Sequence, residues 1–272
     1  MAAAEKQKDE ESRMDQKERR MYLLKYLLAE NPQAGIGRIP DEEKEQKALL
    51  RGLMNIRMPQ PVSSDFLTVQ DAYLKEEIAS DGIVEMADLV PLQPELYLWQ
   101  GDITRLKCDA IVNAANSRML GCFCPNHGCI DNAIHTFAGV ELRSACAKLM
   151  AAQGHEEETG SAKITPAFNL PCKYVLHTVG PIVHGWLTKK DQELLGSCYR
   201  SCLELAEENG AESIAFCCIS TGEFHFPNDK AAEIAIKTVK EYKKRTGSRI
   251  EVVFNVFKDR DKEIYRKLLT QN

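Results

Sequence analysis

The sequence predicts an α/β protein, with a sheet covered by helices on both faces and a small helical extension in front of it. Three observations carry that reading. Short apolar segments alternate with amphipathic stretches over the last two thirds of the chain, the first third has only helical periodicity, and the unusual loops all follow the apolar segments. In sheets built this way ligands gather at the carboxyl ends of the strands, so those loops are the place to look for chemistry.

In order along the chain, residues 1–18 are nearly all charged, polar or alanine and read as a disordered start. Residues 19–90 form the helical extension. "ERRMYLLKYLLAE" has apolar residues at helical spacing, "NPQAGIGRIP" breaks it, "DEEKEQKALLRGLMNIR" begins acidic and ends basic, and "DFLTVQDAYLKEEIAS" follows a second break. No chemistry is visible there, and its reading is a packing or partner-docking unit. Residues 91–272 carry the alternating pattern. Strands are read at "LYLWQGDIT", "CDAIVNAAN", "SAKITPAF", "KYVLHTVGP", "ESIAFCCIST" and "RIEVVFNVF". Helices are read at "VELRSACAKLMAAQ", "DQELLGSCYRSCLELAEEN", "NDKAAEIAIKTVKEYKKRTG" and "DKEIYRKLLT".

The 272 residues, 44% of them hydrophobic, suffice for one substantial core with a small appendage. A net charge of −5 and the lack of a basic stripe interleaved with aromatics argue against nucleic acid as a partner. No apolar run approaches the roughly 20 residues of a membrane span, and the first residues hold no secretory apolar segment. The ten cysteines are therefore read as cytoplasmic thiols, mostly in the core, with any loop cluster suspected of binding metal.

Four loops hold the candidates. Asp102 in "GDIT" suits an amino group or a sugar hydroxyl, or caps its own turn. The amides of Asn113 and Asn116 in "VNAAN" suit ribose hydroxyls. The backbone of "STGEFHFP", Ser220 to Pro227, suits a phosphate, and "GPIVHG" is its possible partner loop. Cys122, His127 and Cys129 have the spacing C-x-x-x-x-H-x-C, in which two thiolates and an imidazole favour zinc and leave one position open, as catalytic zinc sites do. Alternatives stand beside that reading. Cys122 and Cys124 form a C-x-C pair rather than the redox C-x-x-C, Cys124 can replace Cys122, and His135 as a fourth ligand would make the site structural. Asp131 is either a first-turn helix acid or a carboxylate aimed at the site.

Taken in order, "GDIT", "VNAAN", "IDNAIH", "HTVGP" and "ISTGEFHFP" resemble the macrodomain family of ADP-ribose-binding modules, from about Leu96 to Leu269. Hydrolytic macrodomains carry glycines where this chain has "GCFCPNHGC". That departure, with "LLRGLMNIRMPQP" and "FLTVQDAYL" before it, looks like the zinc-containing protein-ADP-ribose hydrolase branch. The resemblance implies a three-layer α/β/α fold with a mixed sheet and one Zn2+ per chain near the distal ribose, on Cys122, His127 and Cys129, with Cys124 a bystander. It implies that Asp102 meets the adenine amino group and Ile103 gives a backbone contact. Asn113 and Asn116 face the distal ribose, and Ser220, Thr221, Gly222, Glu223 and Phe224 line the diphosphate and that ribose. Phe257 stacks on adenine, a role Phe226 also suits.

The function implied is hydrolysis of mono-ADP-ribose from oxygen-linked protein side chains, with Asn116 and Asp131 in the catalytic machinery. Its partners are an ADP-ribosylated protein and the ADP-ribose product, with no nucleic acid and no membrane. Three rivals are a reader that binds ADP-ribose without cleaving it, an O-acetyl-ADP-ribose deacetylase, and a scaffold whose zinc is structural.

Overall fold

The structure is a computed structural model and describes residues 14–32 and 37–271. Of the stretch expected to be disordered, residues 1–13 lie outside the described residues, as do residues 33–36 of the expected break. The remainder departs from expectation. Helix α1 (Gln16–Glu30) starts inside it because Asp15 accepts from the Glu18 N–H at 2.8 Å while the Glu18 carboxylate accepts from the Asp15 N–H at 2.9 Å. That reciprocal cap satisfies two of the first-turn donors a helix leaves open.

Helices α2 (Glu43–Ile56) and α3 (Ser64–Ser80) complete the extension. They bury a core of their own, in which Leu23, Leu24, Leu27, Leu50, Leu53, Phe66, Val69 and Leu74 close around one another. Charged residues join the helices at the rim, as where Arg57 donates to both oxygens of Glu30, at 2.7 and 2.9 Å.

The chain then enters the sheets. Strand β1 (Val84–Glu85) pairs in parallel with β4 (Leu106–Lys107). The main sheet has seven strands: β2 (Pro91–Gln93), β3 (Leu96–Gln100), β5 (Ala110–Ala115), β6 (Ala162–Pro166), β7 (Tyr174–Val179), β8 (Ser213–Phe216) and β9 (Glu251–Val256), in the spatial order β2-β3-β9-β8-β5-β7-β6. The five inner strands are parallel and the two edge strands antiparallel, which makes the sheet mixed. Ile111, Val112, Val175, Leu176, Ile214, Ala215, Val252 and Val253 are all fully buried, as strands covered on both faces must be. Helices α6 (Lys189–Glu208), α7 (Asn228–Thr246) and α8 (Asp259–Thr270) pack side by side in one layer. Helices α4 (Ile130–Ala138) and α5 (Val140–Gln153) belong to the other, where α2 and α3 rest on α4. The three-layer α/β/α arrangement with a mixed sheet is the expected one.

Gly139 separates α4 from α5 at a φ of +94°, and a Cβ there would come within 2.6 Å of Gln70 Nε2. Only glycine accepts both the left-handed backbone and the close approach of α3. The Gln70 carboxamide oxygen in turn accepts from the Val140 N–H at 2.9 Å, so the extension caps the start of α5.

Leu24 is fully buried in the second core, away from the sheet. Leu24→Ala should cost about 2–5 kcal/mol. Hydrogen exchange should locate the loss of protection in α1 to α3, with β5 and β8 protected as before.

Candidate functional site

Because β3, β9, β8, β5 and β7 are parallel, their carboxyl ends lie along one edge of the sheet. The loops follow the strand order: Gly101–Thr104 after β3, Phe257 after β9, residues 217–227 after β8, residues 116–129 after β5 and residues 180–188 after β7. From β3 to β5 there are three inter-strand steps, a span of roughly 14 Å. The edge is thus a ruler, with Asp102 at one end, the glycine-containing turn in the middle and the cysteine-rich loop at the other.

At the first end, Asn255 Nδ2 donates to the Gly101 carbonyl at 3.0 Å, and the Gly101 N–H donates to the Val256 carbonyl at 3.0 Å. Asp102 follows Gly101 and Phe257 follows Val256, so the two leave the sheet side by side. Asp102 Oδ1 accepts from the Thr104 N–H at 3.0 Å and from its hydroxyl at 2.7 Å. It caps its own turn, and the second carboxylate oxygen is left for a ligand. Ile103 is a core side chain, so only its backbone can touch one. Phe257 is 74% exposed, while Phe226 is 1% exposed and packed in the core, which removes Phe226 as the stacking aromatic.

In the middle, Ser220 has φ +64° and His225 has φ +57°. The Phe226 N–H donates to the Ser220 carbonyl at 2.9 Å and the His225 N–H to the Gly222 carbonyl at 3.0 Å. Among the described residues, the N–H groups of Gly222, Glu223 and Phe224 have no protein acceptor. Successive unpaired N–H groups in such a turn form a concave anion site. The Val183 N–H donates to the Phe224 carbonyl at 2.9 Å, which joins the loop after β7 to this turn as expected.

At the far end, Cys122, His127 and Cys129 are half-buried, and their ligand atoms lie within 4.8 Å of one another, with Cys122 Sγ 3.7 Å from His127 Nδ1. A tetrahedral zinc with bonds of about 2.0–2.3 Å separates its ligand atoms by about 3.5–3.8 Å. The residues therefore fit zinc in both donor type and spacing. Burial pushes the Cys129 thiol up to about 12; the Asn132 N–H works against that and the neighbouring Cys122 adds to it. A thiolate pair here requires a cation between its members. Cys124 is exposed and outside the group. His127 Nε2 faces the Glu223 carboxylate at 3.8 Å, so the middle turn and the metal loop meet.

Asn116 and Gly121 shape that loop. The Asn116 carboxamide accepts from the Arg118 N–H at 3.1 Å and donates to the Gly121 carbonyl at 3.2 Å. Gly121 has φ +80°, and a Cβ on it would reach within 2.8 Å of the His135 ring.

Beneath the loop lies a buried polar network, and here expectation needs correction. Asn113 was expected to face a ribose, but it is wholly buried. Its Nδ2 donates to Asp131 Oδ1 at 2.8 Å and to His177 Nδ1 at 3.1 Å. The strand alternation points Asn113 inward, toward α4, rather than out at the strand end. Asp131, read as a first-turn helix acid or a carboxylate aimed at the site, does lie in the first turn of α4, and it is 5% exposed and drawn into the same network, with His135 Nε2 at 3.5 Å. Burial raises its carboxyl to about 6, with Asn113 and Arg143 holding it lower than burial alone would. Both histidines are kept neutral by burial: His177 is lowered to about 4 and His135 falls well below its ordinary value.

His135, Cys146 and His177 also bring ligand atoms within 4.8 Å, fully buried. His177 Nδ1 receives the Asn113 proton, so Nε2 carries the ring proton and donates it to Thr165 Oγ1 at 3.0 Å. That ring has no lone pair to offer the group, and the half-buried loop trio is the better metal centre. His135 lies outside the loop trio, so it is not a fourth ligand there.

The sequence reading missed the residues that brace the metal loop, Arg51 and Asn55 from the extension and Arg143 from α5. Arg51 donates to Asn132 Oδ1 at 2.7 and 3.1 Å and to the His127 carbonyl at 3.2 Å. Asn55, 1% exposed, accepts from the Asn126 N–H at 3.0 Å and donates to Thr136 Oγ1 at 3.0 Å. Arg143 donates to the Leu120 carbonyl at 2.7 Å and lies over the Phe123 ring at 4.3 Å. The local signal was present in "LLRGLMNIR": Arg51 and Asn55 are polar residues four apart in an apolar helix.

A mixed sheet under helices with an anion turn between an aromatic end and a metal-ligand loop defines a layered α/β domain for an elongated anionic ligand. The Macro domain family model matches residues 112–235. A protein-ADP-ribose hydrolase of Treponema medium is 60% identical over 261 residues, covering 94% of this chain and 100% of its own. A protein of the same name from Staphylococcus aureus (strain MSSA476) is 47% identical over 258 residues, covering 94% and 97%. The Trypanosoma brucei macrodomain, solved in complex with ADP-ribose, superposes with a TM-score of 0.63 at 31% identity over 80% of this chain and 94% of its own. The chain belongs to the macro domain family.

His177 gives a test of the buried network. Between pH 6.5 and about 4 the unfolded chain binds a proton that the folded chain refuses. Stability present above pH 6.5 is therefore lost as pH falls, by up to about 1.4 kcal/mol per pH unit from this residue. Because Asp131, raised to about 6, gains stability as pH falls through part of the same range, the His177 contribution is read as a difference: urea unfolding at pH 7 and pH 5 should show His177→Leu losing less, or gaining more, than wild type between the two pH values, with lower stability at both.

Proposed function

We propose that this chain is a zinc-dependent hydrolase that removes mono-ADP-ribose from oxygen-linked side chains of modified proteins in the cytoplasm. The observation that carries the reading is the order of loops along the sheet edge. An acceptor and an exposed ring (Asp102, Phe257), an anion turn (Gly222 to Phe224) and a metal-ligand loop follow one another in the order that an adenine, a diphosphate and a distal ribose would need. The names of the Treponema and Staphylococcus relatives support hydrolysis of ADP-ribose from protein, and the ADP-ribose in the Trypanosoma complex supports the ligand.

In this reading Asp102 accepts from the adenine amino group and Phe257 covers the ring. The backbone N–H groups of Gly222, Glu223 and Phe224 hold the diphosphate, with Ser220 and Thr221 fixing the turn. Asn116 holds the loop against the distal ribose, and Asn113 acts from behind by orienting Asp131. Bound zinc supplies Lewis acidity and a water of lowered pKa. Breaking the bond at the anomeric carbon develops oxocarbenium character, so the groups that matter for rate are those placed beside that ribose.

Two measurements on the full chain test this. His127→Ala should lose zinc and keep ADP-ribose affinity, because adenine and diphosphate are held by other loops. Release of ADP-ribose from a seryl-, aspartyl- or glutamyl-modified protein should fall by ~100-fold or more, as for loss of a group worth several kcal/mol in the transition state. Wild-type protein that binds ADP-ribose but releases none would make the chain a reader.

Calorimetry addresses the pocket. ADP-ribose should bind more tightly than AMP, and Asp102→Ala should weaken ADP-ribose by roughly 1.5–3 kcal/mol, the worth of a charge-assisted hydrogen bond. Equal affinity for AMP and ADP-ribose would remove the diphosphate from the reading.

A further inference from the structure

We propose that Arg51, in the helical extension, is a positioning residue of the metal centre. It acts through Asn132 and the backbone of His127 to set how His127 and Cys129 present their ligand atoms. The inference rests on the assignment of Cys122, His127 and Cys129 as zinc ligands.

The contacts form one connected shell. Asn132 is fully buried one turn into α4. Its N–H donates to Cys129 Sγ at 3.4 Å, the bond by which that cysteine caps the helix. Its Nδ2 donates to the Cys124 carbonyl at 3.0 Å, and the same carbonyl accepts from the His127 N–H at 3.2 Å. The remaining polar atom, Oδ1, accepts from two guanidinium nitrogens of Arg51. The Arg51 Nη2 reaches on to the His127 carbonyl. A single planar fork therefore grips the side chain of the residue whose backbone N–H bonds one ligand's sulfur, and the backbone that carries another ligand's ring.

The chemistry of arginine is what this arrangement needs. Its donors lie in a rigid plane, so two acceptors in different directions are held at once, which a lysine ammonium on a flexible stem does not do. Partners of this kind around metal ligands are worth about 10–100-fold in metal affinity.

A second observation points the same way. The Macro domain family model covers only residues 112–235, yet the Treponema relative matches 94% of this chain, which takes in most of the helical extension. The likeness to that relative thus reaches beyond the matched domain into the extension, and in this chain Arg51 and Asn55 are side chains by which the extension holds the loop.

The test uses the full chain. Wild type, Arg51→Met, Arg51→Lys and Asn132→Ala are titrated with zinc in competition with a chromogenic chelator, and separately with ADP-ribose. The cobalt(II)-loaded proteins are compared by their thiolate-to-metal absorption. Arg51→Met should raise the zinc Kd about 10–100-fold and alter the cobalt spectrum while ADP-ribose affinity stays within about twofold. Arg51→Lys should shift the zinc Kd in the same direction, because charge without the fork is insufficient. The double variant Arg51→Met, Asn132→Ala should bind zinc no more weakly than the worse single variant, since both act on one path. An unchanged zinc Kd in Arg51→Met, or fully additive losses in the double variant, overturns the proposal while leaving the function intact. If Arg51→Met does not fold, Arg51→Lys and Asn132→Ala decide the matter by the same criteria. Wild-type protein that takes up no zinc overturns the metal assignment itself, a distinct result.

Discussion

Five parallel strands cannot be joined by hairpins; each must return through a crossover, and every crossover leaves from the same edge of the sheet. That constraint arranges the whole site. The residues that would meet adenine, phosphate and metal come from segments more than 150 positions apart, yet their order along the edge follows from the pairing β3-β9-β8-β5-β7. The pairing in turn rests on the unbroken burial of Ile111, Val112, Ile214, Ala215, Val252 and Val253 between two helical layers. The loops are free to be irregular because the strands beneath them are not.

The metal loop has little structure of its own. Between Asn116 and Cys129 it contains no helix or strand, and Met119 and Asn126 both have positive φ. What holds it comes from elsewhere: the Asn116 carboxamide, the His135 ring against Gly121, and the polar atoms of Arg51, Asn55 and Arg143. Backbone groups in such a loop must find partners, and here side chains from two other helices provide them.

Much of the architecture was legible in the sequence because periodicity reports burial. Helix α5 lies where "VELRSACAKLMAAQ" placed it, and the six long strands fall within the six apolar segments. The spacing of Cys122, His127 and Cys129 also announced a cluster, since ligands close in sequence meet with little help from the fold. Direction was harder to read. Asn113 and Asn116 have the same side-chain chemistry three residues apart, but one ends up behind the sheet edge and the other on it. The face an asparagine takes depends on register and on the His177 and Asp131 that meet it, neither of which is local. For Arg51 the polar position was visible in "LLRGLMNIR" but its partner was not: Asn132 lies 81 residues away, and nothing in a helix names the loop it will touch. The short strands β1, β2 and β4 carry too few residues for any period to show.

Among the described residues the two largest of three hydrophobic clusters lie around the sheet and among α1 to α3, with Val140 of the latter at the head of α5. Polar contacts also join them: Gln70 caps α5, Asp71 accepts from the Asn169 carboxamide, Arg143 donates to the Met54 and Arg57 carbonyls, and Arg51 and Asn55 reach both α4 and the loop that holds Cys122, His127 and Cys129. Groups that share contacts are thermodynamically reciprocal: whatever favours one arrangement of the contacts is favoured by it to the same degree. An ion that tightened the loop would therefore tighten the hold of Arg51 and Asn55 on it, and loosening those contacts would weaken the hold on the ion.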